Sequence, residues 1–260
     1  MGPVLAGFIG CRVERVTGYD TDRLGTFTRD VARIGTPLET ARRKARIGME
    51  RSGLPLGLGS EGSFDLDPVA GLFPWNVECL VFLDDVLKIE VVGLAQGRAH
   101  SAQTLAACFE DAERFARMVG FPEHHLIVRP NHDHDTRIRK GISDWPGFRA
   151  AYDEAAAQSN AGQVFIEVDL RAYANPTRLA RIRLAAVDLG KRLASLCPVC
   201  RVPGFWVVES IKGLPCCACG ASTRLVRAFV HRCRSCGHQV TRERADETHA
   251  DPAYCDSCNP

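Results

Sequence analysis

The chain has 260 residues, 45% of them hydrophobic and 25% charged, with a net charge of +2. That composition excludes a disordered chain, and the near-neutral balance argues against a membrane-surface or general nucleic-acid role. No apolar run approaches the ~20 residues a spanning helix needs, the first residues do not read as a secretory signal, and the length suits one medium domain plus a small one.

In chain order, residues 11–16 read as a strand. Thr36 opens a helix with two start signals: Pro37 stands at the first helical position, and Glu39, three residues on, completes a capping box. Leu38, Ala41, Ala45 and Met49 recur at helical spacing, and Gly53 ends the helix. Residues 56–58 are a short, glycine-flanked apolar piece. Residues 77–83 and 86–92 read as strands joined at Asp84 and Asp85. An amphipathic helix over residues 105–119 stops at Gly120 and Pro122. Residues 126–128 are β-prone, 145–158 helical, and 164–170 alternate as a strand. Asn175 caps a last helix, with Pro176 at its first position, running to about Leu196. These elements predict an α/β domain over residues 1–195, with a mixed central sheet and helices on its faces.

Residues 196–260 differ in kind. They carry four Cys-x-x-Cys pairs: Cys197/Cys200, Cys216/Cys219, Cys233/Cys236 and Cys255/Cys258. Two sulfurs so spaced approach a metal from one tight turn, and two pairs complete the tetrahedral shell Zn²⁺ prefers. The tail is therefore expected to be a tandem zinc-ribbon module holding two structural Zn²⁺ ions. Taken sequentially, the pairs are separated by 15 and by 18 residues, both within the range of zinc modules. Sequential pairing is the favoured arrangement; a nested one, using the 13-residue gap between Cys219 and Cys233, and a cross-braced one stay open. Cys217 beside Cys216 is a substitute ligand, while Cys11, Cys79 and Cys108 sit in apolar contexts as small hydrophobes. A disulfide framework is disfavoured in so long a chain, and the thiols suit a reducing cytoplasm. The tail has eight cationic and six anionic side chains, too even a balance for a strong phosphate-binding face, although Arg224, Arg227, Arg232 and Arg234 cluster.

Three polar clusters in the α/β part are candidate sites. Alternation on the 164–170 strand puts Glu167 and Asp169 on one face, where two carboxylates one step apart can share Mg²⁺, with Arg171 and Arg178 to neutralise phosphate. The run Gly57-Leu58-Gly59-Ser60-Glu61-Gly62-Ser63 reads as a glycine-rich loop, without the Lys-Ser/Thr of a P-loop, in which Glu61 is a metal ligand or base. The run from Arg129 to Asp135, followed by Lys140, reads as a polar hairpin loop with Arg129 and Lys140 at strand edges. Asp20-Thr21-Asp22 and residues 26–28 form a further polar loop.

Several of these segments resemble a mainly bacterial family known as domain of unknown function 6671. They are Asp20-Thr-Asp-Arg-Leu-Gly-Thr-Phe-Thr, Ser60-Glu-Gly-Ser-Phe, Glu167-Val-Asp-Leu-Arg-Ala, Asn175-Pro-Thr-Arg, Gly213-Leu-Pro-Cys-Cys-Ala-Cys-Gly and Tyr254-Cys-Asp-Ser-Cys-Asn-Pro. The resemblance covers nearly the whole chain and brings no established activity. A more distant similarity is to inosine/xanthosine triphosphate pyrophosphatases, through Glu39-Thr-Ala-Arg-Arg-Lys-Ala followed by Gly53-Leu-Pro-Leu-Gly-Leu-Gly-Ser-Glu-Gly. It implies an α/β fold and Mg²⁺-dependent release of pyrophosphate, with Glu39 and Glu61 holding Mg²⁺ and Lys44 meeting phosphate. Those enzymes begin with a strand and a short Asn/Lys turn, where this chain begins at Met1-Gly-Pro-Val-Leu-Ala, so the first strand is expected to be missing.

Two functional classes follow. One is a metal-dependent enzyme acting on a nucleotide or other phosphorylated small molecule. Its candidate catalytic residues are Glu39, Glu61, Glu167 and Asp169, and its phosphate ligands are Lys44, Arg129, Lys140, Arg171 and Arg178. The other is a zinc-ribbon protein that binds nucleic acid or docks a partner without catalysis.

Overall fold

The computed structural model describes residues 1–28, 31 and 35–260; the side chain of Asp22, within the polar loop noted above, lies outside the described residues. Among the described residues are five α-helices and three sheets, and every strand pair within the sheets is antiparallel. The expected single mixed sheet is thus two antiparallel sheets in the α/β part, with a third in the cysteine-rich tail.

The first sheet is a meander of β1 (Leu56–Leu66), β2 (Pro74–Asp84) and β3 (Ile89–Arg98). Helix α2 (Pro37–Ser52) packs on one face through Ala41, Ala45 and Met49 against Cys79, Val81 and Leu83. The expected capping box is present: Thr36 N donates to Glu39 Oε2 at 2.7 Å and Glu39 N donates to Thr36 Oγ1 at 3.3 Å. Residues 57–63 are not a loop but the middle of β1. Their glycines serve packing: a Cβ on Gly59 would lie 2.0 Å from the Ala41 carbonyl oxygen, and one on Gly57 would lie 2.6 Å from Met49 Cγ. The strand interior gives up side chains so that a helix backbone can lie directly on it.

Helix α5 (Pro176–Ala194) covers the other face, where Ile182, Ala185 and Leu189 meet Leu80 and Val91. Gly93 on that face would place a Cβ 2.4 Å from Leu189 Cβ. Helix α1 (Gly2–Ile9) lies on α5 through Leu5. The expected strand at residues 11–16 is absent; these residues are irregular. The turn before β3 is longer than expected, because Asp84 Oδ1 accepts from Val86 N and Leu87 N, both at 2.8 Å, and holds them out of the ladder.

The second sheet has the order β4 (Gln103–Ala106), β7 (Val164–Val168), β5 (Leu126–Pro130), β6 (Arg139–Ile142). Helices α3 (Phe109–Met118) and α4 (Trp145–Gln158) bury one face, with Phe115, Phe148 and Tyr152 against Leu126, Val128, Val164, Ile166 and Val168. Leu105, expected in α3, belongs to β4 and pairs with Phe165. By alternation the opposite face carries Arg129 and Glu167, both buried. The third sheet, in the order β10 (Gln239–Glu243), β9 (Val226–Arg232), β8 (Trp206–Lys212), follows the C-terminus of α5 and is tied to it: Ser195 O accepts from Gly204 N and Phe205 N, both at 3.0 Å.

Candidate metal centre

Each Cys-x-x-Cys pair closes the same turn. The amide after the second cysteine donates to the carbonyl of the first: Arg201 to Cys197 at 3.0 Å, Gly220 to Cys216 at 2.9 Å, Gly237 to Cys233 at 3.1 Å and Asn259 to Cys255 at 2.8 Å. Three of these closing residues are left-handed, Arg201 at φ 62, Gly220 at φ 73 and Gly237 at φ 75, which is why glycine follows two of the pairs. The turn aims both sulfurs of a pair to one side.

The sulfurs meet in two tetrads: Cys197, Cys200, Cys233 and Cys236 in one, and Cys216, Cys219, Cys255 and Cys258 in the other. Across the first, Cys197 Sγ lies 3.7 Å from Cys236 Sγ and Cys200 Sγ lies 3.6 Å from Cys233 Sγ. Across the second, Cys216 Sγ lies 3.9 Å from Cys258 Sγ and Cys219 Sγ lies 3.6 Å from Cys255 Sγ. A Zn–S bond near 2.3 Å sets the edge of a tetrahedral sulfur shell at about 3.8 Å, so the donor set fits two four-coordinate thiolate sites.

The sequential pairing is overturned: the first pair joins the third, and the second joins the fourth. Strand direction is the reason. One pair precedes β8 and the next follows it, so the seven residues of β8 hold them roughly 20 Å apart. Strand β9 returns antiparallel and delivers Cys233 and Cys236 to the first end, with Arg232 opposite Trp206. Strand β10 and the segment after it lead back to the second end, where Cys217 N donates to Ala250 O at 3.0 Å. The expected tandem of two ribbons is therefore one interleaved unit. Cys217 is exposed and stands outside both tetrads.

Backbone donors favour thiolate at one sulfur of each tetrad. Burial raises Cys197, but the amides of Cys200 and Val199 outweigh it and hold the thiol at about 7. The amides of Ser257 and Cys258 hold Cys255 at about 7. Cys258 is pushed up to about 12 by the Cys219 thiol, by burial and by Cys216. Each tetrad thus pairs one sulfur held toward thiolate, Cys197 or Cys255, with one held toward thiol, Cys236 or Cys258, so metal binding there would release protons.

Of the polar candidates of the α/β part, Glu61, Arg129, Glu167, Asp169 and Arg178 are buried, but the candidates are not gathered. Among the described residues, only the two cysteine tetrads bring three or more His, Cys, Asp or Glu side chains within ligating distance. Glu39 is exposed and spends its carboxylate on the capping box, where the Thr36 amide and hydroxyl hold it below the usual range. Glu61, on the α2 face of β1, accepts from Lys44 Nζ at 2.7 Å and from Gly62 N at 3.1 Å. Glu167 lies 3.4 Å from Arg129 Nη2, which also donates to Thr28 O at 2.6 Å. Asp169, fully buried just past β7, accepts from Arg171 Nε at 2.9 Å and from its amide at 3.0 Å. Lys140 is half-buried on β6. Each candidate carboxylate is thus committed to a separate local partner.

Arg178 belongs to a cluster the sequence did not suggest. Its Nε donates to Glu78 Oε1 at 2.7 Å, Nη1 donates to Leu170 O at 2.8 Å, and its guanidinium stacks 4.4 Å over Phe27. Asn76 Nδ2 donates to Glu78 Oε1 at 2.9 Å, and Asn175, the α5 cap, donates to His100 O at 3.1 Å. The signal was a carboxylate, Glu78, inside the apolar run of β2, which only a buried partner permits. Beside this cluster lies a cleft of about 380 Å³ lined by Phe27, Phe64, Leu66, Pro74 and Leu170 among others.

Fold and sulfur geometry together define the class: an α/β protein with a cross-braced, eight-cysteine tail whose two tetrads could each hold a metal ion. The chain belongs to the family described as domain of unknown function (DUF6671), whose model matches residues 44–260. The match starts inside α2 and takes in all ten strands and both tetrads, leaving Glu39 outside it. No curated protein and no solved structure matches the chain.

Proposed function

We propose that this protein holds two Zn²⁺ ions as structural braces. The supporting observation is the sulfur geometry, with sulfur–sulfur distances of 3.6–3.9 Å across each tetrad. Four thiolates per ion leave no open position for substrate, so the ions stabilise the fold and do no chemistry. One ion joins turns that β8 and β9 bring together and the other joins turns that β8 and the segment after β10 bring together, replacing the core that a tail of this size lacks. Thiolate ligation at this density belongs in a reducing compartment, which favours the cytoplasm. The expected result is two zinc equivalents per chain by elemental analysis after purification with reductant, and loss of the tail's protease resistance on chelation. Fewer than two equivalents, or disulfides between the pairs, would sink this assignment.

A second proposal concerns the α/β part: Mg²⁺-dependent hydrolysis of a nucleoside triphosphate or related phosphate compound. The observation that favours it is the part-buried Lys44–Glu61 pair, an ammonium and a carboxylate at 2.7 Å on the segment carrying the pyrophosphatase-like motif. In this scheme Glu61 holds the metal and Lys44 meets phosphate. Glu39 contributes only if the capping box opens, and Glu167 and Asp169 keep their arginines. Pyrophosphate release from a panel of nucleoside triphosphates with Mg²⁺ or Mn²⁺, lost in Glu61→Gln with zinc content unchanged, is the expected outcome; no turnover in the zinc-loaded chain rejects it. A nucleic-acid role has less support. Within the tail's basic cluster, Arg224 is paired with Asp256 at 2.7 Å and Arg227 lies 3.9 Å from Glu243, which offsets two of its four arginines.

A further inference from the structure

We propose that the two metal sites differ in kind. The tetrad of Cys197, Cys200, Cys233 and Cys236 is a fixed strut of the α/β part. The tetrad of Cys216, Cys219, Cys255 and Cys258 is an exchange site, which yields its ion to a competing ligand and lets the outer end of the tail open. The distinction rests on the two-zinc reading and goes beyond it.

The first tetrad is built into the core. Cys197 closely follows α5, and its turn is tied back onto that helix. Gly204 N donates to Arg192 O at 3.2 Å and to Ser195 O at 3.0 Å, and Ser195 Oγ donates to Phe205 O at 2.7 Å. Inside the turn, Val202 packs against the core of Leu80, Val91, Leu189 and Leu193, and a Cβ on Gly204 would lie 3.0 Å from Val91 Cγ2 on β3. The sulfurs also have an apolar shell. Cys197, Cys233 and Phe205 form one buried cluster with Cys200 and Val240 against it, and of the four cysteines Cys236 alone is exposed. For the ion to leave, this packing has to open with it, and the shell bars an incoming ligand.

Among the described residues the second tetrad has neither support. None of its cysteines belongs to a buried apolar cluster, and both Cys219 and Cys258 are exposed. Cys255 and Cys258 lie on the segment after β10, which reaches the Cys216 turn at Ala250. There Ala250 N donates to Pro215 O at 2.8 Å, and Cys217 N donates to Ala250 O at 3.0 Å. Arg224 and Asp256 pair at 2.7 Å, but their side chains are 81% and 70% exposed, and such a pair contributes little. Bonds of this kind do not hold the segment once the ion is gone, so the ion is what orders it. A competing ligand reaches the ion past Cys219 and Cys258. The thiolates take up protons from solvent as it leaves, while α5 and β3 keep their packing.

The test is chelation of the full chain reconstituted with two zinc equivalents under reductant. Absorbance follows zinc transfer to a chromogenic chelator, and hydrogen exchange read by mass spectrometry reports on α5 and β3. One equivalent is expected to leave at least about tenfold faster than the other, with the amides of α5 and β3 still protected after the first and unprotected after the second. Alkylation of the half-released chain names the site. Cys216, Cys219, Cys255 and Cys258 should react while Cys197, Cys200, Cys233 and Cys236 do not; Cys108 and Cys217, exposed and outside both tetrads, react at the outset. In Cys255→Ser/Cys258→Ser the fast phase should vanish and the slow one persist. Release of both equivalents at one rate overturns the proposal and leaves the two-zinc reading intact, as does alkylation of the first tetrad in the half-released chain. A chain that never takes up two equivalents overturns both.

Discussion

At Gly59 the room for one methyl group decides how α2 meets β1. An ideal Cβ there would sit 2.0 Å from Ala41 O and 2.7 Å from Ala45 N, both backbone atoms that cannot swing aside. Gly59→Ala is therefore expected to destabilise the chain by about 1–3 kcal/mol, the range for overpacking. Gly7→Ala, in α1 with nothing within 4 Å, should be neutral or slightly stabilising. Urea titration of both variants against the parent checks the difference. The same glycines misled the sequence reading, since glycine density is a loop signal unless a packed backbone claims the space. Glu39 shows the reverse case. Its capping role was legible from Thr36, Pro37 and the three-residue spacing, and the capping geometry occupies the carboxylate that the metal-ligand expectation needed.

At the scale of elements, strand direction controls ligand pairing. Because β8 and β9 are antiparallel, the turns before β8 and after β9 share one end of the sheet. The double variant Cys197→Ser/Cys233→Ser thus breaks a single site and should retain one zinc. Cys197→Ser/Cys216→Ser breaks both and should retain none. Sequential pairing predicts the opposite pattern, so zinc content of the two purified variants separates the arrangements. The eight ligands were legible because Cys-x-x-Cys is a local signal. Their partners were not, because the outcome depends on how three strands turn over some sixty residues. Helices with strong caps, α2 behind Thr36 and α5 behind Asn175, were placed by sequence to within a residue or two at their starts. Strand ends drifted, as at β3, where Asp84 captures the turn.

At the scale of the whole molecule, His124 links the second sheet's neighbourhood to α5. Its ring stacks on His100 at a centroid distance of 3.9 Å, and Nε2 meets Thr177 Oγ1 at 3.0 Å. Burial, then the proximity of His100, pushes its pKa down. The unfolded chain therefore takes up this proton first. The contribution of His124 is intact above the ordinary histidine value of about 6.5 and is lost as pH falls below it toward the folded-state pKa. Thermal midpoints should decline as pH falls through about 6.5, and His124→Gln should flatten that decline relative to the parent. Loss of any bound metal at low pH would affect both proteins alike, so the difference between them isolates the histidine.

The sequence alone determined which eight cysteines form the potential metal-ligand set, through four Cys-x-x-Cys pairs, and with them the helix starts and the α/β character, since each rests on residues close in the chain. Only the tertiary structure decided that the cysteines interleave, that residues 57–63 are a strand, and that Glu61, Glu167 and Asp169 are held apart by Lys44, Arg129 and Arg171. Apart from the local Asp169–Arg171 pair, these are contacts between segments separated in sequence. They are set by strand direction and by which backbone can approach which, and a local pattern does not carry that information.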